Sequence, residues 1–460
     1  MPSLPTVEFD VIIVGAGIAG TAMAHALGTD GRKVLLLERD WREPDRIVGE
    51  LLQPGGIKAL ESLGLEKCLE GIDAIHCKGY NVIQDKNSVL LPYSYENAKN
   101  GCGFHHGKFI MSLRTAAKAA PNVTCVEGTV KTLLTDKDDE SHVIGVSYST
   151  KTDKENDKLA YAPLTIVCDG CHSKFRKEVN KKQVTVSSTF VGMILEDCKL
   201  PNPGHGHVVL VDPSPILLYQ IGTHDTRALI DIPGSKIPSL ANGDLSKYMM
   251  EKVLPQLPES VHPSFIAAVK KGNLKSMPNQ HLPPATNTRK GLLLLGDANN
   301  MRHPLTGGGM TVAFWDVVHV RDLLREVDDL ENYDLVQKQM KSLHWRRKQL
   351  SSTVNILANA LYALFAAGGD SFEKVLQDGC MEYFKLGGIC VSTPIGLLSG
   401  MLHDPKALIT HFFAVAFYGM YIQMTRGPLY LLPYLLFRAI GALVVAAIIV
   451  FPLMMFELQN

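Results

Sequence analysis

Gly15-Ala16-Gly17-Ile18-Ala19-Gly20 follows the apolar run Val11-Ile12-Ile13-Val14 and fits the pattern G-x-G-x-x-G. Glycines at these positions permit a tight turn and let backbone N–H groups approach a pyrophosphate. They also let the following helix pack on the strand, with the positive end of its dipole toward the phosphates. Glu38 closes the next apolar run, Val34-Leu35-Leu36-Leu37. From there its carboxylate can accept hydrogen bonds from both ribose hydroxyls of an adenosine. These residues suit a dinucleotide, and NAD and FAD fit them equally well.

Two further motifs bear on that choice. Asp169-Gly170-Cys171-His172-Ser173-Lys174-Phe175-Arg176 follows Thr165-Ile166-Val167-Cys168 and fits D-G-x-x-S-x-x-R, and Gly296-Asp297 ends the run Leu292-Leu293-Leu294-Leu295. A carboxylate at such a strand end suits a chain of hydroxyls. Gly307-Gly308-Gly309 then opens a helix at Met310. Bare backbone there can pass close beside a flat ring, and a helix N-terminus aimed at that ring stabilises negative charge on it by about 0.3–2 kcal/mol. Cys168 and Cys171 also satisfy C-x-x-C, but they overlap the second motif and lack the strand-to-helix context of a redox dithiol. His105-His106 has no companion cluster at ligand spacing, so the pair reads as structural and no metal is expected.

The elements that must position these residues begin with a βαβ unit over the first 40 residues, whose sheet is expected to be parallel. Between 184 and 235 the runs shorten and are broken by Pro, Gly and Asp, which reads as a separate, antiparallel sheet. Helices are expected at TVAFWDVVHVRDLLREV and from Leu335 to Ala367. The tail is apolar: 407 to 425, 427 to 437, and eighteen uncharged residues from Ala439 to Phe456. Arg426 and Arg438 separate these segments and Pro428, Pro433 and Pro452 break them, so short helices sunk part-way into one leaflet are expected rather than spans.

Lysine plus arginine equals aspartate plus glutamate at 46 each, so no net charge draws the chain to nucleic acid. Nine scattered cysteines suit a reducing, cytosol-facing compartment, and the start MPSLPTVEFDVIIVG shows no signal peptide.

From Glu38 through Gly56 (ERDWREPDRIVGELLQPGG), at Phe104–Arg114 (FHHGKFIMSLR) and at GDANNMRHPLTGGGMTVAFWDV, the chain closely resembles the squalene monooxygenase (squalene epoxidase) family, and the likeness extends over essentially the whole chain. The resemblance implies an FAD-dependent monooxygenase of the sterol pathway. It would convert squalene to (S)-2,3-oxidosqualene with O2 through a flavin C4a-hydroperoxide, with electrons from NADPH arriving by way of NADPH-cytochrome P450 reductase. It places the catalytic domain on the cytosolic face of the endoplasmic reticulum membrane, with lipid droplets as a further site, and leaves anchoring to the C-terminal helices, as in shorter fungal-type members.

By matching positions, FAD should touch Ile18, Ala19, Glu38, Arg39, Arg46, Leu51, Arg114, Val130, Asp297 and Met310, with Gly15, Gly17, Gly20, Asp169, Gly308 and Gly309 supplying the turns. Tyr80 and Gln53 match a polar pair lining the family's active site and are expected to orient the flavin edge or the attacked bond. The fold implied is α/β: a Rossmann-like FAD-binding domain of the flavoprotein hydroxylase type, an inserted, mainly antiparallel β substrate domain, and membrane-associated helices. Its expected parts are the FAD-binding domain at 1–75, 104–182 and 285–330, an excursion into the substrate domain at 76–103, the substrate sheet at 183–284, a helical region at 331–404 and the membrane-associated helices at 405–460. A soluble aromatic hydroxylase would have little use for such a tail. A flavin-free lipid-binding escort protein would not need Glu38, Asp297 and the triple glycine together.

Overall fold

The computed structural model describes residues 8–153, 156–234, 236–366, 372–426 and 428–458. Residues 1–7, which carry part of the signal-peptide reading, and Ala367, the expected end of one helix, lie outside them.

The first sheet has the strand order Lys158–Tyr161, Val143–Thr150, Val123–Thr135, Val34–Glu38, Val11–Val14, Leu164–Val167, Leu292–Leu294. From Val123–Thr135 to Leu292–Leu294 neighbouring strands run parallel, and the two outer ones extend the sheet as an antiparallel ribbon. Its central strands are apolar except for Thr165 and the strand-end Glu38, because both faces are covered. Val11 and Ile13 pack among the helices Ile18–Thr29, His106–Ala119 and Gly309–Leu324, whereas Ile12 and Val14 pack with Val130, Val143, Val146 and Phe175 on the other side.

The second sheet has the order Lys275–His281, Thr185–Glu196, Asp225–Pro233, Ile216–Gln220, Gly206–Leu210, Gly79–Gln84, Asn87–Pro92. Its neighbours are antiparallel except Gly206–Leu210 beside Gly79–Gln84. One face, with Val191, Leu218 and Ile230, is covered by the helix His262–Lys271. The other, with Tyr80, Phe190, Leu217 and Leu229, looks toward the first sheet and the C-terminal helices. The architecture is thus a Rossmann-like α/β unit with a mainly antiparallel sheet set against it.

The tail departs from the sequence expectation in element length. It forms two long helices, Pro405–Arg426 and Leu432–Leu458, with Arg438 and Pro452 inside the second. Pro433 falls in the first turn, where a missing N–H has no intrahelical acceptor to lose, so it starts the helix instead of breaking it. Leu435, Ala439, Ala442, Ala446 and Val450 form the buried face of this helix, and Phe437, Ile440, Val444, Ile448, Phe451 and Met455 are exposed on the opposite face. Its far end is fastened to the helix Tyr333–Phe365, because Ser352 Oγ and Asn355 Nδ2 donate to the Glu457 carboxylate at 2.7 and 2.8 Å.

Candidate active site

The turn after Val11–Val14 is built by its glycines. Gly15 lies at φ +99°, and a Cβ there would sit 2.6 Å from the Cys168 carbonyl oxygen; a Cβ on Gly20 would sit 1.9 Å from the Gly15 carbonyl oxygen. Gly17 differs: a Cβ there would meet no atom within 4 Å, so the space beside it is open. Gly17 is the N-cap of Ile18–Thr29 and provides no side-chain cap, which leaves the helix's first N–H groups free for an anion. Glu38 braces the turn, its Oε2 accepting from the Ala16 N–H at 2.7 Å and its Oε1 from the Asp40 N–H at 3.0 Å. Each carboxylate oxygen keeps a further lone pair. Arg114 completes the brace by donating from Nε to the Ala16 carbonyl at 2.9 Å and lying 3.7 Å from Glu38. Burial holds its guanidinium below the usual arginine value.

A continuous cavity of about 290 Å3 runs from this turn to the second sheet. Of the expected residues it brings together Gly17, Ile18, Ala19, Arg46, Leu51, Tyr80, Asp297, Gly309 and Met310. Asp297 lines the cavity with its side chain exposed to that open space. Burial raises its carboxyl above the ordinary value, against the pull of Arg302, Arg46 and Arg176.

Asp169 borders the wall without lining it. Its Oδ2 accepts from the Lys174 N–H at 3.0 Å, and its buried Oδ1 has no partner. Arg176 staples the two motif loops together, donating to the carbonyls of Cys171 at 2.7 Å and of Asp297 and Ala298 at 3.0 Å. Cys168 and Cys171 are free thiols, and burial raises both above the usual thiol value, so neither is an activated thiolate.

Other expected residues stand off the cavity wall. Arg39 lines a shallow cleft with Glu127, Gly128 and Lys131. Val130 turns its side chain into the core under the sheet, beside a bulge, so only its backbone can meet a ligand. Gly308 is the N-cap of Gly309–Leu324, and a Cβ on it would approach Val354 to 2.6 Å; Gly309, like Gly17, faces open space.

At the ring end, Gln53 is the hub. Its Nε2 donates to Tyr80 Oη at 2.5 Å and to the Thr306 carbonyl at 2.8 Å, while its Oε1 accepts from Tyr93 Oη at 2.7 Å. The Tyr80 hydroxyl hydrogen has only a 3.5 Å contact with the Thr306 carbonyl, which leaves it free to face the cavity that Tyr80 lines. Burial raises the phenols of Tyr80 and Tyr93 far above their ordinary value, so both stay neutral. This pair can orient a ligand but cannot take a proton at neutral pH.

Sequence reasoning missed several residues that shape this site. Glu50 and Arg227 form a buried ion pair, with Arg227 Nε and Nη2 each 2.8 Å from a Glu50 oxygen. Tyr219, on the cavity wall, also donates to Glu50 at 3.3 Å. No local pattern marks a pair separated by 177 positions. His105 and His106 bond Asp225 Oδ2 at 2.9 Å and the Gly49 carbonyl at 3.0 Å.

Comparison with known proteins bears on what the site is for. Residues 161–437 match the model of the squalene epoxidase family, and 13–43 match an NAD(P)-binding Rossmann-like domain. The chain is 50% identical over 457 residues to a squalene epoxidase of Aspergillus fumigatus, covering 97% of this chain and 93% of that one. It is 45% identical to a squalene epoxidase of Schizosaccharomyces pombe, covering 99% and 100%, and 46% identical to the squalene monooxygenase of Mus musculus, covering 98% and 78%. Among solved structures, p-nitrophenol 4-monooxygenase of Pseudomonas putida superposes with a TM-score of 0.69 at 16% identity, over 88% of this chain and 99% of that one. A flavoprotein/dehydrogenase of Cytophaga hutchinsonii gives 0.70 at 17% identity, over 91% and 100%. At such identities the last two speak to the fold alone.

Proposed function

The chain belongs to the squalene epoxidase family, and from that premise we propose that it is an FAD-dependent squalene monooxygenase of sterol biosynthesis, epoxidising squalene to (S)-2,3-oxidosqualene with O2. The observation that carries this reading is the single cavity lined both by two open glycine positions and the Asp297 carboxylate and by the apolar side chains of Leu217, Leu229, Met277 and Leu305.

The residues fit FAD. Gly15, Gly17 and Gly20, with Ile18 and Ala19, would cradle the pyrophosphate on the helix N-terminus, and Glu38, Arg39, Arg114 and Val130 would flank the adenosine. Asp297 and Arg46, backed by Asp169, would hold the ribityl chain. Leu51, Gly308, Gly309 and Met310 would lie along the ring, where the helix Gly309–Leu324 offers its N-terminus to negative charge. Bound in this cradle, FAD would supply the activated oxygen for transfer to the alkene, with electrons from NADPH by way of NADPH-cytochrome P450 reductase.

This chain's own residues then position the substrate and keep it dry. Squalene is a hydrocarbon with no polar handle, so it binds by apolar contact, at about 25 cal/mol per Å2 buried, and by the shape of the wall. Tyr80, held by Gln53, would orient the ring edge or the attacked bond through its free hydroxyl hydrogen. The electron-rich alkene needs no acid or base, in keeping with a site whose phenols are locked neutral.

Substrate of this kind resides in membrane. The outward apolar face of Leu432–Leu458, on a helix fastened to the body along its length, supports insertion into one leaflet of the endoplasmic reticulum membrane with the flavin domain in the cytosol.

The test is incubation of the FAD-loaded protein with squalene, NADPH and P450 reductase, with reductase omitted in a parallel reaction. Oxidosqualene is expected only in the complete mixture. Equal product without reductase would overturn the electron route, and no product in either would overturn the function.

A further inference from the structure

His303 sits immediately before the Pro304–Thr306 turn and is 2% exposed. Its Nδ1 accepts from the Leu305 backbone N–H at 3.2 Å and so caps the turn. A backbone N–H can only donate, so Nδ1 carries no hydrogen and Nε2 does. Nε2 lies 3.1 Å from Ser188 Oγ and 3.8 Å from Asp231 Oδ1. Asn279 Nδ2 reaches both of those groups at 2.9 Å, and Ser214 donates to Asp231. Tyr362 stacks on the imidazole at 4.0 Å, and burial holds the ring neutral, at a pKa of about 3.

A serine, a histidine and an aspartate in contact raise the idea of a hydrolytic triad, but the geometry excludes it. Ser188 and Asp231 address the same nitrogen, the other nitrogen is taken by backbone, and neither His303, Ser188 nor Asp231 lines the cavity. What the cluster does is join layers. Ser188, Asp231 and Asn279 lie on the three adjacent strands Thr185–Glu196, Asp225–Pro233 and Lys275–His281 of the second sheet. On the other side, the capped turn ends at Thr306, whose carbonyl receives Gln53, and the chain continues at Gly307 with φ +60° into the glycine run.

We propose that His303 is a positioning residue for epoxidation: its Nδ1 fixes the turn that aligns Gln53, Tyr80 and the glycine run on the flavin side, and its Nε2 fixes that turn's distance from the sheet that holds the substrate. The inference rests on the assignment of the cavity to FAD and squalene. Oxygen transfer between two oriented partners is sensitive to displacements of about 1 Å, so a single side chain tying the two walls together governs rate and coupling.

The two ring nitrogens can be separated by substitution. Asparagine can accept from an N–H two residues on, as in an Asx turn, but is too short for Ser188; glutamine can reach Ser188 but does not close the cap. FAD-loaded His303→Gln is expected to lose about tenfold in kcat, the scale of one hydrogen bond lost at an oriented site. It should also shift the flavin midpoint potential and release more hydrogen peroxide per oxygen consumed, with FAD affinity unchanged.

His303→Asn is expected to keep kcat, potential and peroxide yield while raising KM for squalene about threefold, and Ser188→Ala should do the same. If His303→Gln does not fold, the KM-against-kcat split of the other two decides the matter. Variants that lower only the melting temperature and leave KM, kcat, potential and peroxide yield at wild-type values would overturn the proposal, as would identical losses in His303→Asn and His303→Gln. Wild-type enzyme run in parallel separates this outcome from failure of the functional assignment, because inactive wild type addresses only the latter.

Discussion

The two ends of the cavity are made in different ways. At the Gly15–Glu38 end, two neighbouring strands, one turn and one helix do most of the work: Ala16 N–H reaches Glu38 across 22 positions, and one longer tie, Arg114 to the Ala16 carbonyl across 98, completes the brace. At the ring end, Gln53 reaches Thr306 across 253 positions, Arg227 reaches Glu50 across 177 and Ser188 reaches His303 across 115. The first end follows from local backbone geometry. The second exists only once two sheets have docked, so its integrity depends on buried polar contacts between them.

The sharpest test of that contrast is the Glu50–Arg227 pair. Glu50→Ala would leave Arg227 charged and unpaired in the interior, which is expected to cost about 3–5 kcal/mol in chemical denaturation. Replacing both residues by apolar side chains of similar volume should recover most of that loss. A Glu50→Ala protein as stable as wild type would show that the docked sheets do not depend on this contact.

At the local end, two glycines of one motif should behave oppositely. Gly20→Ala drives a Cβ into the Gly15 carbonyl and is expected to destabilise the protein by about 1–3 kcal/mol even without cofactor. Gly17→Ala meets no protein atom, so the apoprotein should unfold like wild type while its FAD dissociation constant rises about tenfold, as measured by flavin fluorescence titration. Equal FAD affinity in Gly17→Ala would remove the pyrophosphate from that turn.

A third test uses pH. His207 lies in the second sheet, paired with Leu218 and accepting at Nε2 from the Asn202 N–H at 3.2 Å. Burial lowers its pKa from 6.5 to about 4, helped by the neighbouring His205, and its Nδ1 has no partner. The folded state therefore resists a proton that the unfolded chain accepts. Stability is kept above about pH 6.5 and lost as pH falls toward 4, by roughly 2 kcal/mol at pH 5. His207→Leu should flatten the stability curve between pH 7 and 5; parallel curves would count against the assignment.

The same contrast explains what was legible in the sequence. The Gly15–Gly20 turn, Glu38 and the strand that leads into Asp297 could be read because their chemistry sits at fixed spacing along the chain, and the family likeness added Gln53 and Tyr80. His303 lies between Asp297 and the glycine run, yet its role depends on Ser188 and Asp231, which no periodicity links to it. The length of the tail helices was not legible, because prolines and arginines usually mark helix ends, whereas a first-turn Pro433 and an Arg438 within an apolar helix interrupt nothing.

The smallest expected effect lies at the join between the two ends. In Tyr80→Phe, Gln53 keeps the Thr306 carbonyl and Tyr93 as partners and loses only one acceptor, so the fold should hold within about 1 kcal/mol. What disappears is the hydroxyl hydrogen left free to face the cavity. If Tyr80 orients the reacting edge, kcat should fall about fivefold with FAD affinity unchanged, since the pyrophosphate turn is built independently. Because burial keeps this phenol protonated across the working range, the shape of the pH–rate profile should not change. Normal turnover in Tyr80→Phe would remove even the orienting role, and loss of a limb of the profile would show that the hydroxyl moves a proton after all.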